Sequence, residues 1–311
     1  MSQVFHTATR AVRAPARRAR RAVTVRVLIA RAAGRLRRAR VYFGHGTDNA
    51  WDEAAALVLH AVRLAPGGGA AAYGRRVGLA AQRRARALVT RRINERIPAA
   101  YLTGVSWFAG VRLHVDARVL VPRSPIAELI ERGFRPWIDA RRVRRVLDVG
   151  TGSGCIAIAC AKALPRARVD AVDISDAALE VARGNVRRHR LARRVRLKNS
   201  DHFRALGRLT YDIIVSNPPY VGARELAGLP PEYRHEPRVA LAAGSAGLDS
   251  VRIILREARR HLRPRGVLIV EVGNTERAVR RAFRRLPFVW LEFERGGGGV
   301  FLLSREQLPA R

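Results

Sequence analysis

The second half of the chain alternates between strand-like and helix-like segments, and this alternation restricts the fold more than any other feature. After Arg141, short apolar segments are separated by helical patterns at Ser153 to Leu164, Asp176 to Arg188 and Leu248 to His261. Units of this length predict a mostly parallel sheet that is covered by helices on both faces. Two further apolar segments flank GGGG (296–299), which predicts an antiparallel hairpin at one edge of that sheet. We therefore expect an α/β fold with strands at RVLDVG (145–150), ARVDAVD (167–173), VRLKNS (195–200), YDIIVSN (211–217), GVLIVEV (266–272), FVWLEF (288–293) and GVFLLS (299–304).

The first part of the chain is predicted to form a small helical domain. Apolar residues recur at helical spacing from Val23 to Arg40, and Thr47, Asp48 and Asn49 are all good N-caps for a helix over Ala50 to Val62. Another helical stretch covers Gln82 to Glu95, and the alternating pattern from Trp107 to Val121 predicts a β-hairpin. The predicted divisions are a basic arm (1–22), a helical domain (23–105), a β-hairpin linker (106–122) and the α/β domain (123–311).

The chain of 311 residues has a formal net charge of +35. Most of this charge is arginine scattered over every segment, a bias that codon composition can also produce, so it does not by itself indicate a nucleic-acid groove. A focused patch is better supported before Asp48, where no acidic residue occurs and RAPARRARR (13–21) is a low-complexity basic segment. We expect this arm either to contact RNA or another polyanion or to be a solvated tail. A mitochondrial transit peptide is less well supported, because the arm lacks serine runs and an amphipathic stripe.

Composition also limits the class of protein. No apolar run reaches the ~18 to 20 residues of a membrane-spanning helix. The two cysteines, Cys155 and Cys160, lie in one predicted helix on different faces, so a bond between them is not expected. No histidine or cysteine cluster has the spacing of a zinc site. We expect the cysteines to be packing residues in a reducing compartment, and we expect no metal site.

A glycine-rich motif lies between a predicted strand and a predicted helix in LDVGTGSGC (147–155). Glycines allow a tight turn and a close approach of the backbone to a ligand. Alone, the motif is a weak signal for a ligand site, because a tight turn between strand and helix would also explain it. Asp173 ends the next strand about 20 residues further on, where a carboxylate can accept hydrogen bonds from both ribose hydroxyls of a nucleoside. The candidate cofactor-binding residues of the loop are Asp148, Gly150, Thr151, Gly152 and Gly154.

Polar residues also follow the next two predicted strands. NSDHF (199–203) places Asp201 and His202 at a strand end, where an adenine edge could be contacted, and VSNPPY (215–220) ends the strand after it. The carboxyl ends of parallel strands meet at one edge of the sheet, where ligands bind near the switch point. Four strand ends are therefore expected to converge on one crevice.

Asn217, Pro218, Pro219 and Tyr220 form an unusual end to a strand. The two prolines remove two backbone donors and fix two φ angles, so the segment should be rigid and extended. A simple chain reversal would more naturally use glycine. The segment is therefore predicted to lie at the opening of a ligand site and to present an amide, free carbonyl groups and an aromatic ring to the ligand.

These motifs together resemble the Rossmann-like S-adenosylmethionine-dependent methyltransferases. The resemblance implies S-adenosyl-L-methionine as the cofactor, bound by the loop residues, Asp173, Asp201, His202 and Asn217. In methyltransferases that act on planar nitrogens, [N/D]-P-P-[Y/F] is the substrate clamp, here Asn217 to Tyr220 and called the clamp below. The resemblance implies that the Asn217 side-chain oxygen and the Pro218 carbonyl accept the two amide N–H bonds, while the Tyr220 ring packs on the amide face. Asn217, Pro218 and Tyr220 are then the catalytic residues, Pro219 is a further substrate contact, and no general base is obvious.

The same clamp occurs in DNA adenine-N6 and cytosine-N4 methyltransferases, which usually carry a separate target-recognition domain. The small N-terminal helical domain instead resembles the protein-(glutamine-N5) methyltransferase family. FGHGTDNAWDEAAALVLHA (43–61) and WLEFERGGGGVFLLSREQL (290–308) are similar to the branch that acts on large-subunit ribosomal protein L-three. PRSPIAE (122–128) stands where the release-factor branch usually has PRPDTE.

This resemblance implies N5-methylation of a glutamine side-chain amide in ribosomal protein L-three, in the cytoplasm, with residues 23–105 recognising the substrate. The alternatives are glutamine methylation of release factors, adenine-N6 methylation of DNA or RNA, and a non-catalytic assembly factor that binds rRNA. Because L-three is expected to be basic, we expect the arm to contact rRNA of an assembling particle. Arg123 is expected either to line the crevice or to pair with Glu128.

Overall fold

The computed structural model describes residues 23–310, and the first part of this range is helical. Thr24 accepts a hydrogen bond from the Val27 amide, and the Asn49 side chain accepts from the amides of Trp51 and Asp52, so both residues cap helices as Ser, Thr and Asn typically do. The helices are α1 (Val25–Arg38), α2 (Ala50–Val62), α3 (Gly69–Gly74), α4 (Leu79–Asn94) and α5 (Ala99–Thr103).

The helical part has its own apolar core, in which residues such as Leu36 of α1 and Leu57 of α2 are fully buried. A buried arginine connects this part to the rest of the molecule. Arg92 of α4 forms ion pairs with Glu53 of α2 and with Glu232, which follows the clamp in the chain; its Nη1 lies 3.1 Å from Glu232 Oε1. The segment after the clamp is therefore held against the helical part by buried charges.

A short antiparallel hairpin follows, made of β1 (Val105–Phe108) and β2 (Val111–His114). It is shorter than the predicted hairpin, because strand pairing ends at His114. Val115, Val119 and Val121 alternate as strand residues do, but they are buried in a loop against the helix over Asp176–Arg188. The alternating pattern of these valines therefore reflects the burial of a loop and not the pairing of strands.

The α/β part is built on a seven-stranded sheet with the order β5-β4-β3-β6-β7-β9-β8, whose ranges are β3 (Arg145–Val149), β4 (Arg168–Asp173), β5 (Val195–Asn199), β6 (Tyr211–Ser216), β7 (Leu262–Glu271), β8 (Val289–Trp290) and β9 (Val300–Ser304). The first five strands in that order pair in parallel. β9 runs antiparallel to both β7 and β8. The predicted α/β class, with a mostly parallel Rossmann-like sheet and an antiparallel edge hairpin, is confirmed.

Helices cover both faces of the sheet and leave its carboxyl edge open. The helices of this part are α6 (Ile126–Glu131), α7 (Cys155–Ala163), α8 (Asp176–Arg188), α9 (Ala223–Ala227), α10 (Asp249–His261) and α11 (Glu276–Ala282), of which α9 buries no residue. Apolar residues of α6, α7 and α8 are buried on one face together with the β1–β2 hairpin, and those of α10 and α11 on the other. The sequence did not indicate α11, which has only seven residues and follows a 3₁₀ turn at Gly273–Thr275.

Several sequence expectations can be compared with the described residues. Cys155 and Cys160 are both free thiols. Within residues 23–310, no helix is long and apolar enough to cross a membrane, and no cluster of three or more potential ligands could hold a metal ion. The basic arm, residues 1–22, lies outside the described residues.

Candidate active site

The carboxyl ends of β3, β4, β5 and β6 lie side by side and border a crevice with a volume of about 270 Å³. The strand order reverses between β3 and β6, which is the switch point at which open α/β sheets bind ligands. Segments within 118–124 and 237–242 form the opposite wall. Of the predicted site residues, those that line the crevice are Gly150, Thr151, Gly152, Asp173, Asp201, His202, Asn217, Pro218 and Pro219.

The glycine-rich loop after β3 turns through three left-handed residues. Gly150, Gly152 and Gly154 have φ values of 75°, 54° and 81°, a region that glycine enters without strain. A Cβ added to Gly152 would meet nothing within 4 Å, whereas one added to Gly154 would lie 3.3 Å from the Ala182 side chain of α8. Gly152 therefore keeps the backbone open to the crevice, and Gly154 lets α7 pack closely against α8.

Asp148 lies beneath this loop and does not line the crevice. Its Oδ2 accepts hydrogen bonds from Thr151 Oγ1 (2.6 Å) and the Ala157 amide (3.1 Å), and its Oδ1 has no partner within the described residues. Burial raises the pKa of Asp148 to about 7. Asp148 therefore holds the conformation of the loop through these hydrogen bonds and does not face the crevice.

Asp173 ends β4 with its carboxylate at the crevice. Oδ2 accepts from the Gly152 amide (2.8 Å) and Oδ1 from the Ser175 amide (2.9 Å). Each carboxylate oxygen keeps a further lone pair, so the group can still accept hydrogen bonds from a ligand diol. Burial raises the pKa of Asp173 above its ordinary value, and such a ligand would favour the ionised form.

Asp201 and His202 follow β5 and reach the crevice from the next strand end. His202 has a φ of 50°, and its Nδ1 lies 2.7 Å from Asp201 Oδ1. The Ser200 hydroxyl donates to the His202 carbonyl at 2.9 Å, which helps to hold this turn. The pair places a carboxylate and an imidazole beside Asp173.

The clamp continues directly from β6. The Ser216 hydroxyl donates to the Val149 carbonyl at 2.7 Å and so ties the clamp to the strand that carries the glycine-rich loop. Asn217, Pro218 and Pro219 line the crevice, whereas Tyr220 stands behind them and its hydroxyl lies 3.4 Å from Glu271 Oε1. The Asn217 amide, the Pro218 carbonyl group and the candidate cofactor-binding residues therefore line one crevice.

Arg123 and Glu236 form an ion pair in the opposite wall that sequence reasoning missed. Arg123 Nη1 and Nη2 donate to the two Glu236 oxygens at 2.6 and 2.8 Å, and the Val121 amide donates to Glu236 Oε1 at 3.1 Å. The expectation that Arg123 lines the crevice is met. The alternative partner, Glu128, instead accepts from the backbone amides of Glu294 and Arg295. Since 113 residues separate Arg123 from Glu236, no local sequence signal could have revealed the pair.

The charges of the crevice suit a nucleoside better than a phosphate. Arg118 and Arg123 both line it, but their guanidinium groups are already bonded to Asp116 and Glu236. Asp173 offers a carboxylate to hydroxyl groups, and the open loop around Gly152 admits a ligand against the backbone. These features fit the ribose and base of S-adenosyl-L-methionine.

The chain is similar to known methyltransferases along nearly all of its length. Residues 134–228 match the family described as Methyltransferase small domain. A Bordetella pertussis protein named ribosomal protein uL3 glutamine methyltransferase is 50% identical, over 92% of this chain and 96% of its own. Proteins of the same name from Neisseria meningitidis and Xanthomonas campestris pv. campestris are 48% and 49% identical, over 92% of this chain and 94% and 93% of theirs.

A solved structure shows the same fold at low sequence identity. The catalytic domain of hMettl16, in a complex with a MAT2A 3′UTR hairpin, covers 74% of this chain and 84% of its own, with a TM-score of 0.50 and 18% identity. At that identity the likeness concerns the fold alone.

The protein is an enzyme, and its cofactor is S-adenosyl-L-methionine. The evidence for its family is independent of any single motif, because the curated relatives share about half of its residues across both chains almost from end to end. The protein belongs to the family of ribosomal protein uL3 glutamine methyltransferases.

Proposed function

We propose that the protein methylates the side-chain amide nitrogen of a glutamine in ribosomal protein uL3, which is L-three of the large subunit. The observation that carries this proposal is that Asn217, Pro218 and Pro219 line the same crevice as Asp173 and the glycine-rich loop. A planar amide held by the clamp therefore meets the cofactor in one crevice. The relatives named above act on uL3 by name, which supports this protein as the partner.

In the proposed mechanism, the chain's main contribution is orientation. An amide nitrogen is a poor nucleophile, because its lone pair is delocalised into the carbonyl group. The Asn217 side-chain oxygen and the Pro218 carbonyl accept the two N–H bonds, and the Tyr220 ring packs on the amide face. Orientation of this kind can contribute ~7 kcal/mol or more to the rate. The two acceptors also stabilise positive charge as it develops on the nitrogen.

The cofactor, when bound, supplies an electrophilic methyl group. In the proposal Asp173 accepts hydrogen bonds from the ribose hydroxyls, and Asp201 and His202 contact the adenine edge. Gly150, Thr151, Gly152 and Asn217 contact the cofactor from the loop and the clamp. Asp148 and Gly154, which do not line the crevice, hold the loop in shape.

The remaining parts of the proposal concern the partners of the enzyme and its location in the cell. Residues 23–105 recognise the substrate protein, residues 106–122 link the two domains, and the enzyme works in the cytoplasm. The Arg-rich arm contacts rRNA of an assembling large subunit. A charge of +35 would repel a basic protein at short range, within a Debye length of ~8 Å at physiological salt, and rRNA would remove this repulsion.

A radiolabelled S-adenosylmethionine assay tests the substrate. Isolated uL3, release factors and DNA are offered side by side, and the labelled residue is mapped by mass spectrometry. Label on a glutamine of uL3 is the expected result. Label that appears on a release factor or on DNA, with none on uL3, would replace the proposed substrate by one of the alternatives.

The arm is tested separately with free uL3 and with large-subunit assembly particles, each methylated by the full chain and by a chain without residues 1–22. We expect the deletion to slow methylation on particles, most strongly at low salt, and to leave free uL3 unaffected, because phosphate contacts are salt-dependent. Equal rates on both substrates with and without the arm would remove the rRNA contact from the proposal.

A further inference from the structure

Glu271 is a buried carboxyl group beside the clamp that the proposed mechanism does not use. It ends β7, and in the parallel pairing its neighbour Val270 stands opposite Ser216, the residue before the clamp. Its side chain is almost fully buried, and Oε2 has no hydrogen-bond partner within the described residues. Burial of a carboxyl oxygen without a hydrogen bond costs free energy.

Two side chains interact with the Glu271 carboxyl group by hydrogen bonds, those of Ser124 and of Tyr220, and Tyr220 belongs to the clamp. The Tyr220 hydroxyl donates to Glu271 Oε1 at 3.4 Å. Burial raises the pKa of Glu271 to about 7, and a carboxyl oxygen can accept this bond whether the group is protonated or ionised. The far edge of the Tyr220 ring is thus tied to the end of β7.

Two glycines support the same ring from behind. A Cβ added to Gly273 would lie 2.7 Å from the Tyr220 ring, and one added to Gly299 would lie 2.2 Å from the Gly273 carbonyl oxygen. Tyr220, Gly273 and Gly299 are therefore stacked with no room for a side chain between them. Gly299 is the last residue of the GGGG segment (296–299), so this packing explains the glycine at that position.

From this geometry we propose that Glu271 is a positioning residue for methyl transfer: its carboxyl group, with the Gly273–Gly299 stack, fixes the Tyr220 ring against which the substrate amide lies. The proposal rests on the proposed function for the identity of the amide. Glu271 does not line the crevice, so it can affect the substrate amide only through the side chains that it contacts, Tyr220 and Ser124. Loss of Glu271 should therefore affect turnover and spare the binding of the cofactor.

A double-mutant cycle tests this inference with Tyr220→Phe, Glu271→Leu and the double variant, and Glu271→Gln serves as the conservative variant. Tyr220→Phe and Glu271→Leu should each lower kcat on uL3 by about five- to tenfold, the value of one net hydrogen bond. The double variant should be no slower than Glu271→Leu alone, because both substitutions remove the bond between Tyr220 and Glu271. Glu271→Gln keeps an acceptor and should restore most of the rate, while the cofactor Kd stays unchanged in all four variants.

Tyr211→Phe, which removes a buried hydroxyl at the start of β6, is the matched control and should keep full activity.

Additive losses in the cycle, or a Glu271→Gln enzyme as slow as Glu271→Leu, would overturn the inference. A wild-type enzyme that does not methylate uL3 would instead contradict the proposed function, so a measurement without substrate is needed as well. In NMR spectra of 13C-labelled tyrosines, with the Tyr220 signal assigned by its loss in Tyr220→Phe, Glu271→Leu should shift or broaden that signal and Glu271→Gln should preserve it. An unchanged Tyr220 signal in Glu271→Leu would refute the positioning role whatever the substrate is.

Discussion

At the scale of single residues, the crevice divides into groups that face the cofactor and groups that face the amide. Asp173 and Asn217 lie on neighbouring walls, at the ends of β4 and β6, with β3 between them. Asp173 is proposed to bind the cofactor only, whereas the Asn217 side-chain oxygen is also proposed to accept from the substrate amide, so their substitution should separate binding of the cofactor from turnover.

Asp173→Asn should weaken cofactor binding by about 10- to 100-fold, because hydrogen bonds to a charged group are worth ~1.5 to 3 kcal/mol. Isothermal titration calorimetry with S-adenosyl-L-methionine measures this. Asp170→Asn is the matched control: Asp170 lies on the same strand but pairs with Arg145 away from the crevice, so its variant should bind normally. Unchanged affinity in Asp173→Asn would refute the ribose role.

Asn217→Ala should show the opposite pattern. We expect kcat to fall by about 100-fold or more, the usual loss when a group that stabilises developing charge is removed, while the calorimetric affinity for the cofactor changes little. The comparison of kcat with cofactor Kd checks this. An Asn217→Ala enzyme that turns over at the wild-type rate would be incompatible with an amide clamp.

Asp148 predicts a pH dependence of stability. Its pKa is raised by burial to about 7 in the folded protein, against about 3.9 in an unfolded chain. Between these values the folded state binds the extra proton, so the free energy of unfolding should fall as pH rises, by at most ~1.4 kcal/mol per pH unit from this group. Denaturant unfolding between about pH 5 and about pH 7 measures the slope, and Asp148→Asn should reduce it. The same slope in both proteins would contradict the account of Asp148.

At the scale of elements, the segment after the clamp is held by charges on the helical part. Arg92 of α4 is fully buried between Glu53 of α2 and Glu232. Its neighbour Arg91 is exposed and pairs with Glu95 on the same helix. Two adjacent arginines of one helix thus offer a matched pair of variants.

Arg92→Ala should destabilise the protein by about 3 kcal/mol or more, because it leaves the buried Glu53 carboxylate without its ion-pair partner and leaves Glu232 with the partly exposed Arg96 alone. Arg91→Ala should leave the unfolding midpoint close to that of the wild type, since exposed pairs contribute little. Urea unfolding of the two variants measures the difference. Equal midpoints would show that the buried pairs do not hold the segment in place.

The elements also show what the sequence could and could not predict. The ranges of α2 and α8 and the order of the sheet strands and the longer helices follow from local caps and periodicity, because those signals lie within each element, whereas a short helix such as α11 gave no such signal. The hairpin was predicted too long, since Val119 and Val121 are buried by a loop contact with α8 that no local pattern encodes. The Arg123–Glu236 pair joins residues that are distant in the chain, and the Tyr220–Glu271 contact does so too. Local patterns therefore found the residues at strand ends, and tertiary contacts supplied the groups that position them.

At the scale of the whole molecule, the crevice lies outside the helical part, and the Arg92–Glu232 ion pair connects the helical part to the segment that precedes one crevice wall. The residues at 118–124 that line it follow the β1–β2 hairpin, and those at 237–242 follow Glu232 and Glu236. Substrate protein bound on the helical part would therefore lie on the same framework that shapes the crevice wall. This arrangement suits an enzyme whose target is one glutamine on a large partner.

The most direct test of the central claim is mass spectrometry of uL3 from cells that lack this protein, complemented with the wild-type chain or with Asn217→Ala. We predict that a glutamine of uL3 is unmethylated without the protein, is methylated again with the wild-type chain, and stays unmethylated with Asn217→Ala. Methylation of that glutamine in cells without the protein, or its full restoration by Asn217→Ala, would contradict the claim that this crevice and its clamp modify uL3.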